Sequence, residues 1–224
     1  MIQQLENQEH KTIIKGLIVT VVLLICWSLS SRLLLHGFSW TTQILVSRVT
    51  FWLYTGAICL YAVRQEKQPF LLWTDKNYSV GYYILHIILI FLAIILIGSI
   101  GYSILKFFGL LRVSDAVAWM RKVNAPVKLF GVFTAGVAEE LIFRGYMMPR
   151  LYRLFNNKHK VVFISAIIFG VAHIAYGTVA NVLFPTIIGI VFGYHYYKYR
   201  NIKMLMICHF LIDLNALFNT AIKH

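Results

Sequence analysis

The chain has 224 residues, of which 59% are hydrophobic and only 13% charged, with a mean hydropathy of +0.72. A soluble domain of this length has no need for so much apolar sequence, which excludes the ordinary globular classes and points to a helical membrane protein. The formal charge of +13 is carried by basic residues clustered between apolar runs, where they orient helices against anionic lipid, so nucleic acid is not an expected partner.

In chain order, residues 1–12 are polar, and apolar runs predict spans at 13–35, 43–63, 79–108, 127–150, 160–178, 181–199 and 203–221. The fold class is therefore all-α, a polytopic transmembrane helical bundle of about seven spans. The first run follows Lys11 and Lys15 as a secretion signal would, but its length and the bulky Trp27 favour a retained helix. Gly98 and Gly101 are expected bending points of the long third span. Residues 109–126 place Leu110, Leu111, Val113, Val117 and Met120 at roughly helical spacing among charges, which predicts an amphipathic helix in the interface. Pro185 is expected in the first turn of the sixth span, and Tyr194, Tyr196, Tyr197 and Tyr199 suggest an aromatic belt.

The turns bearing Arg64 to Lys76, Arg150 to Lys160 and Lys198 to Lys203 are basic, which favours a cytoplasmic N-terminus. Cys26, Cys59 and Cys208 lack metal or redox spacing and read as small hydrophobes, as His86 and His195 read as packing residues. With no repeats or low-complexity linker, 1–224 reads as a single integral membrane domain. Short connections suggest a multi-pass protein of a bacterial cell membrane.

Against this apolar background, Glu139, Glu140, Arg144, His173, His209 and Asp213 stand out. Ionisable groups at membrane depth cost a few kcal/mol each and tend to mark a working site. On an α-helix Glu140 and Arg144 share a face, which suits a buried ion pair, while Glu139 points about 100° away and is free to project into a cavity as a general base. Phe169 and His173 share a face of the fifth span, as His209 and Asp213 do in the last. Each piece alone is compatible with helix packing. All three in order, on separate spans, are difficult to explain that way.

The ordered set Glu139-Glu140-Leu141-Ile142-Phe143-Arg144, Phe169 to His173 and His209 to Asp213 resembles the motifs of the CAAX protease and bacteriocin-processing enzyme family, also called Abi or CPBP. The likeness covers about residues 125–221, a catalytic helical core, whereas the spans within 1–125 carry no motif. It implies an intramembrane glutamate-type endopeptidase. By that resemblance Glu139 and His173 hold and deprotonate the attacking water, His209 and Asp213 lie where the family stabilises the oxyanion, and Glu140, Arg144 and Phe169 support them. The prenyl-protein enzymes usually have asparagine where this chain has Asp213. An ionised aspartate cannot donate to an oxyanion, so Asp213 must be protonated, orient His209 or bind something else.

The expected substrate is a membrane-associated peptide or the C-terminal region of a membrane protein, with bacteriocin maturation or self-immunity as the setting. No cofactor is expected. A zinc ion held by Glu139, His173, His209 and Asp213 is the alternative chemistry. A non-catalytic immunity or toxin-binding protein, and a proton-coupled transporter, are the alternative functions.

Overall fold

The computed structural model describes residues 2–35 and 37–218, whose regular elements are all helical, with no strand among them. The expected end of the last span, including Asn219, lies outside the described residues. Helices α1 (Ile2–Leu34), α2 (Trp40–Arg64) and α3 (Val80–Phe107) are followed by the short α4 (Asp115–Met120). The chain from α5 (Ala125–Thr134) runs through π-helical segments Ala135–Glu139 and Leu141–Met147 into α6 (Met148–Phe155). Then come α7 (Lys158–Ala172) with a 3₁₀ turn Ile174–Tyr176, α8 (Ala180–Tyr199) and α9 (Ile202–Phe218).

Four helical stretches are long and apolar enough to cross a membrane: Asn7–Ser28, Trp40–Arg64, Val80–Phe107 and Lys158–Tyr176. Along α3, Ile84, Ile88, Leu92, Leu96 and Ile100 are all exposed, four residues apart, so one whole stripe of the helix presents branched hydrocarbon outward. Such a face is costly in water and costs nothing in lipid, and a helix satisfies its own backbone groups there. The chain is an integral membrane protein by this criterion.

Helix ends follow from local capping. Ser39, Ser79, Ser114 and Asn124 each accept a hydrogen bond from an N–H in the first turn of the helix they precede. Asn156, in the left-handed region at φ 44°, closes α6, and the neighbouring Asn157 side chain caps α7. Asn201 accepts from the Met204 N–H at 2.9 Å at the start of α9 and donates to the Lys76 carbonyl, fastening the 65–79 segment to the turn between α8 and α9.

Several expectations are corrected. The 109–126 stretch is not one helix: it holds the short Asp115–Met120 and the first residues of α5, because Gly109 at φ 65° ends α3, the Ser114 cap starts a new, short helix and the Asn124 cap starts the next. The segment is also tied inward, since Ser114 Oγ donates to the Tyr176 carbonyl at 2.7 Å. Pro185 sits in the second turn of α8, which begins at Ala180. Helix α3 is continuous through Gly98 and Gly101, and a Cβ on Gly101 would meet Ile187 at 3.1 Å, so that glycine serves contact with α8.

Arg150 does not face solvent in a basic turn but is wholly buried. Its Nε donates to Glu66 at 2.7 Å, and its remaining nitrogens reach the carbonyls of Pro69, Phe70 and Tyr146. The 65–79 segment folds inward and brings the countercharge with it. The tyrosines of α8 do not form a belt: Tyr196 is fully buried, Tyr196 and Tyr197 pack on Trp73, and the Arg200 guanidinium lies 3.5 Å from the Trp73 ring centre. His86 and His195 are buried as expected, but they also pair with each other at 3.1 Å.

Two close approaches bring the motif-bearing segments together. A Cβ on Gly136 would lie 2.9 Å from the Phe210 amide nitrogen, so the first π segment and α9 meet backbone to backbone. A Cβ on Gly170 would strike the Thr186 hydroxyl and lie 2.7 Å from the Val182 carbonyl, which sets α7 against α8 in the same way.

Candidate active site

Glu139 and Glu140 lie in and between the π segments rather than on a regular α-helix. A π turn carries an additional residue, which rotates the carboxylates away from their α-helical bearing, and such turns recur at functional sites. The two neighbours end in different surroundings. Glu140 is completely buried, and its Oε1 accepts from Arg144 Nη1 at 2.8 Å and from His209 Nδ1 at 2.8 Å. Glu139 Oε2 is buried with no hydrogen-bond partner. The expected Glu140–Arg144 ion pair is therefore present, but the same oxygen also fixes an imidazole from α9.

Arg144 is buried between aromatic faces, 4.7 Å from the Phe169 ring centre and 5.4 Å from that of Phe192. Cation–π attraction compensates part of its lost hydration. Phe169 thus contributes a ring that lies over the guanidinium and edge-on to both His173 and His209.

His173 stands at the very end of α7, where the helix tightens. Its own N–H bonds to the Gly170 carbonyl at 3.0 Å, one residue short of the α-helical acceptor, which releases the Phe169 carbonyl. The imidazole Nδ1 takes that carbonyl at 2.8 Å. A carbonyl only accepts, so Nδ1 carries the hydrogen and Nε2 of the neutral ring is an acceptor. His209 is fixed by the same logic, its Nδ1–H donating to the Glu140 carboxylate. In both rings Nε2 is the free atom, and both Nε2 atoms lie 3.9 Å from Glu139 Oε2.

The Asp213 Oδ2 lies 3.6 Å from His209 Nε2, too long for a hydrogen bond, and the ring is already oriented by Glu140 through its other nitrogen. Of the roles open to Asp213, orientation of His209 is thus filled by Glu140. Glu139, Phe169, His173, His209 and Asp213 all line one cavity of about 440 Å³, together with Arg48, Tyr176, Asn181 and Pro185. Among the described residues, no group of three or more His, Cys, Asp or Glu side chains is arranged to hold a metal ion.

These motifs fall inside the segment that matches a known family. Residues 122–215 match the family of type II CAAX prenyl endopeptidases, Rce1-like. The match covers less than half of the chain and makes this segment similar to that family. The segment contains all three motifs and the helices that carry them, whereas α1 to α4 precede it. The family it resembles is one of endopeptidases, which act on peptides or proteins. No curated protein and no solved structure matches the chain.

The cavity reaches beyond the matched segment. Arg48 of α2 is buried, and its Nη1 makes no hydrogen bond. Tyr176 lines the same cavity, and its ring stacks on His173 with centres 5.7 Å apart. Neither residue belongs to a motif. The signal for Arg48 was nevertheless present, because an arginine inside the apolar run 43–63 meets the same criterion that singled out Glu139. The Glu66–Arg150 pair had no such signal, since both residues flank apolar runs and read as solvated.

Proposed function

We propose that the protein is an intramembrane endopeptidase of about seven spans. It hydrolyses a peptide bond in the C-terminal region of a membrane-associated peptide or protein, using a water activated by Glu139 and His173. One observation carries this reading: a buried carboxylate oxygen without a partner stands 3.9 Å from the free Nε2 of a histidine whose other nitrogen is locked. That gap is too long for a direct hydrogen bond and suits one bridging water with bonds of about 2.8 Å.

Such a water gives one hydrogen to Glu139 Oε2 and the other to His173 Nε2, which leaves an oxygen lone pair for the substrate carbonyl carbon. As the C–O bond forms, Glu139 takes the proton and the carbonyl oxygen becomes an oxyanion. His209, held at Nδ1 by Glu140, presents Nε2 to the cavity, and as imidazolium it donates N–H to that oxyanion. Collapse of the tetrahedral intermediate breaks the C–N bond, and the Glu139 proton passes to the departing amine. Asp213, as a carboxylate 3.6 Å from His209 Nε2, favours the imidazolium by charge rather than contacting the oxyanion. Peptide maturation or bacteriocin self-immunity in a bacterial membrane is the proposed setting.

The test is cleavage of membrane-associated peptides by the purified protein in nanodiscs, followed by mass spectrometry. Glu139→Gln removes the base with little change of shape, and positioned general bases contribute roughly 10²- to 10⁴-fold, so cleavage should fall by that factor. His173→Ala should fall similarly. A binding or immunity protein would keep its partner through both changes, and cleavage surviving in both variants refutes the assignment.

A further inference from the structure

A tetrahedral oxyanion carries a full negative charge, and the motif side chains meet it with a single donor. His209 offers Nε2–H as imidazolium, whereas Asp213 as a carboxylate only accepts. His173 gives its Nδ1–H to the Phe169 carbonyl and turns Nε2 toward Glu139. Any second donor comes from outside the motifs. Some of the polar side chains lining that part of the cavity are already committed. The Ser114 hydroxyl donates to the Tyr176 carbonyl at 2.7 Å, Arg121 Nε donates to the Ala216 carbonyl at 3.0 Å, and Lys128 lies over the Phe218 ring.

Tyr176 is held differently. Its N–H donates to the His173 carbonyl at 3.0 Å in the 3₁₀ turn, Gly177 at φ 82° ends that turn, and the Ser114 bond fixes its carbonyl. The phenol ring lies nearly parallel to the His173 imidazole, at 28° with centres 5.7 Å apart, while Phe169 meets the same imidazole edge-on at 4.9 Å. The tyrosine is thus anchored beside His173 by both its backbone and its ring. Glu139, Asp213 and Arg48 all act electrostatically on the phenol, so its polar end belongs to the part of the cavity where the carboxylates gather. A neutral phenol can face two carboxylates without the repulsion another acid would meet, and it has an O–H to donate.

We propose that Tyr176 is a further catalytic residue of this site, its hydroxyl donating a second hydrogen bond to the oxyanion alongside the His209 imidazolium. This rests on the endopeptidase reading and adds one residue to it. The phenol keeps its proton throughout. Its hydrogen bond strengthens as water adds to the carbonyl carbon and the carbonyl oxygen gains charge, so it favours the transition state over bound substrate.

The test is steady-state cleavage of membrane-associated peptides in nanodiscs by the parent, Tyr176→Phe and Tyr176→Leu. Phenylalanine keeps the ring against His173 and removes only the hydroxyl. It should lower kcat by roughly 10²- to 10³-fold, the cost of one oxyanion donor, with KM close to the parent's. Tyr176→Leu should be no faster than Tyr176→Phe. Parental kcat in Tyr176→Phe beside a slow Tyr176→Leu means that the ring merely positions His173, and the proposal is overturned. A second measurement holds even if Tyr176→Phe fails to fold. Difluorotyrosine at position 176 preserves the ring but ionises well below the value of about 10 usual for tyrosine. A phenolate cannot donate, so kcat should show an added fall as pH rises through that lowered value. A pH profile identical to the parent's overturns the proposal. Asn181 also lines the cavity, and a loss of kcat in Asn181→Ala with none in Tyr176→Phe would assign the donor to its amide instead. Should the parent cleave no peptide, the endopeptidase reading falls and takes this role with it; equal cleavage by parent and Tyr176→Phe removes only the role of Tyr176.

Discussion

The opposite duties proposed for the adjacent glutamates allow a sharp test, and Glu140→Gln is its informative half. Glu140 is fully buried, and a single oxygen accepts two bonds from ionisable donors, each 2.8 Å long. Bonds of that kind contribute about 1.5–3 kcal/mol each, so the pair amounts to about 3–6 kcal/mol. Removing one partner of a buried ion pair costs about 3–5 kcal/mol by an independent route, because the surviving charge stays buried. Glutamine retains a carbonyl acceptor for one donor, which places Glu140→Gln near the lower end, about 3 kcal/mol. For a chain of this size that corresponds to a fall of about 6–12 °C in melting midpoint.

The assay is thermal unfolding in nanodiscs, monitored by tryptophan fluorescence, with Glu139→Gln as the paired control. Glu139 Oε2 has no hydrogen bond to lose, so its variant should melt within a few degrees of the parent while losing cleavage. Equal destabilisation by the two variants, or a larger loss for Glu139→Gln, would refute the division of labour between a buried fastener and a cavity-facing base.

Two other expectations concern chemistry away from that pair. Cleavage should be insensitive to metal chelators and should not rise on addition of zinc; loss on chelation restored by zinc would instead make Glu139, His173, His209 and Asp213 a ligand set. Asp75, in the segment between α2 and α3, is held above the usual carboxylate range by burial, which outweighs its bond from the Ile202 N–H at 3.1 Å and the nearby Lys203. The folded state thus favours the protonated acid, so stability falls as pH rises through the carboxylate range to the raised value. Asp75→Asn keeps the acceptor and cannot ionise. It should melt higher than the parent at neutral pH and equal to it in acid below the ordinary carboxylate range, as pH-dependent melts would show.

Helicity, membrane residence and the family likeness of residues 122–215 were all legible in the chain. Apolar run length is a local property, and a helix satisfies its own backbone, so α1, α2, α3 and α7 follow from composition alone. The three motifs could be read because an ionisable residue in an apolar run is conspicuous wherever the fold takes it. The π geometry at Ala135–Met147 was not legible, because it arises where Gly136 lets α9 approach backbone to backbone. The inward fold of residues 65–79 was equally hidden, since a polar segment between spans reads as solvated whether or not it carries Glu66 to Arg150.

The sequence by itself determined which residues are costly to place in this protein: Glu139, Glu140, Arg144, His173, His209 and Asp213, together with Arg48. Only the tertiary structure decided how that cost is offset. It gave Glu140 to both Arg144 and His209, left Glu139 Oε2 without a donor, and aimed two imidazole nitrogens at that oxygen. The physical reason is that hydrophobicity and charge belong to single residues, whereas hydrogen-bond partnership depends on distances between helices far apart in the chain.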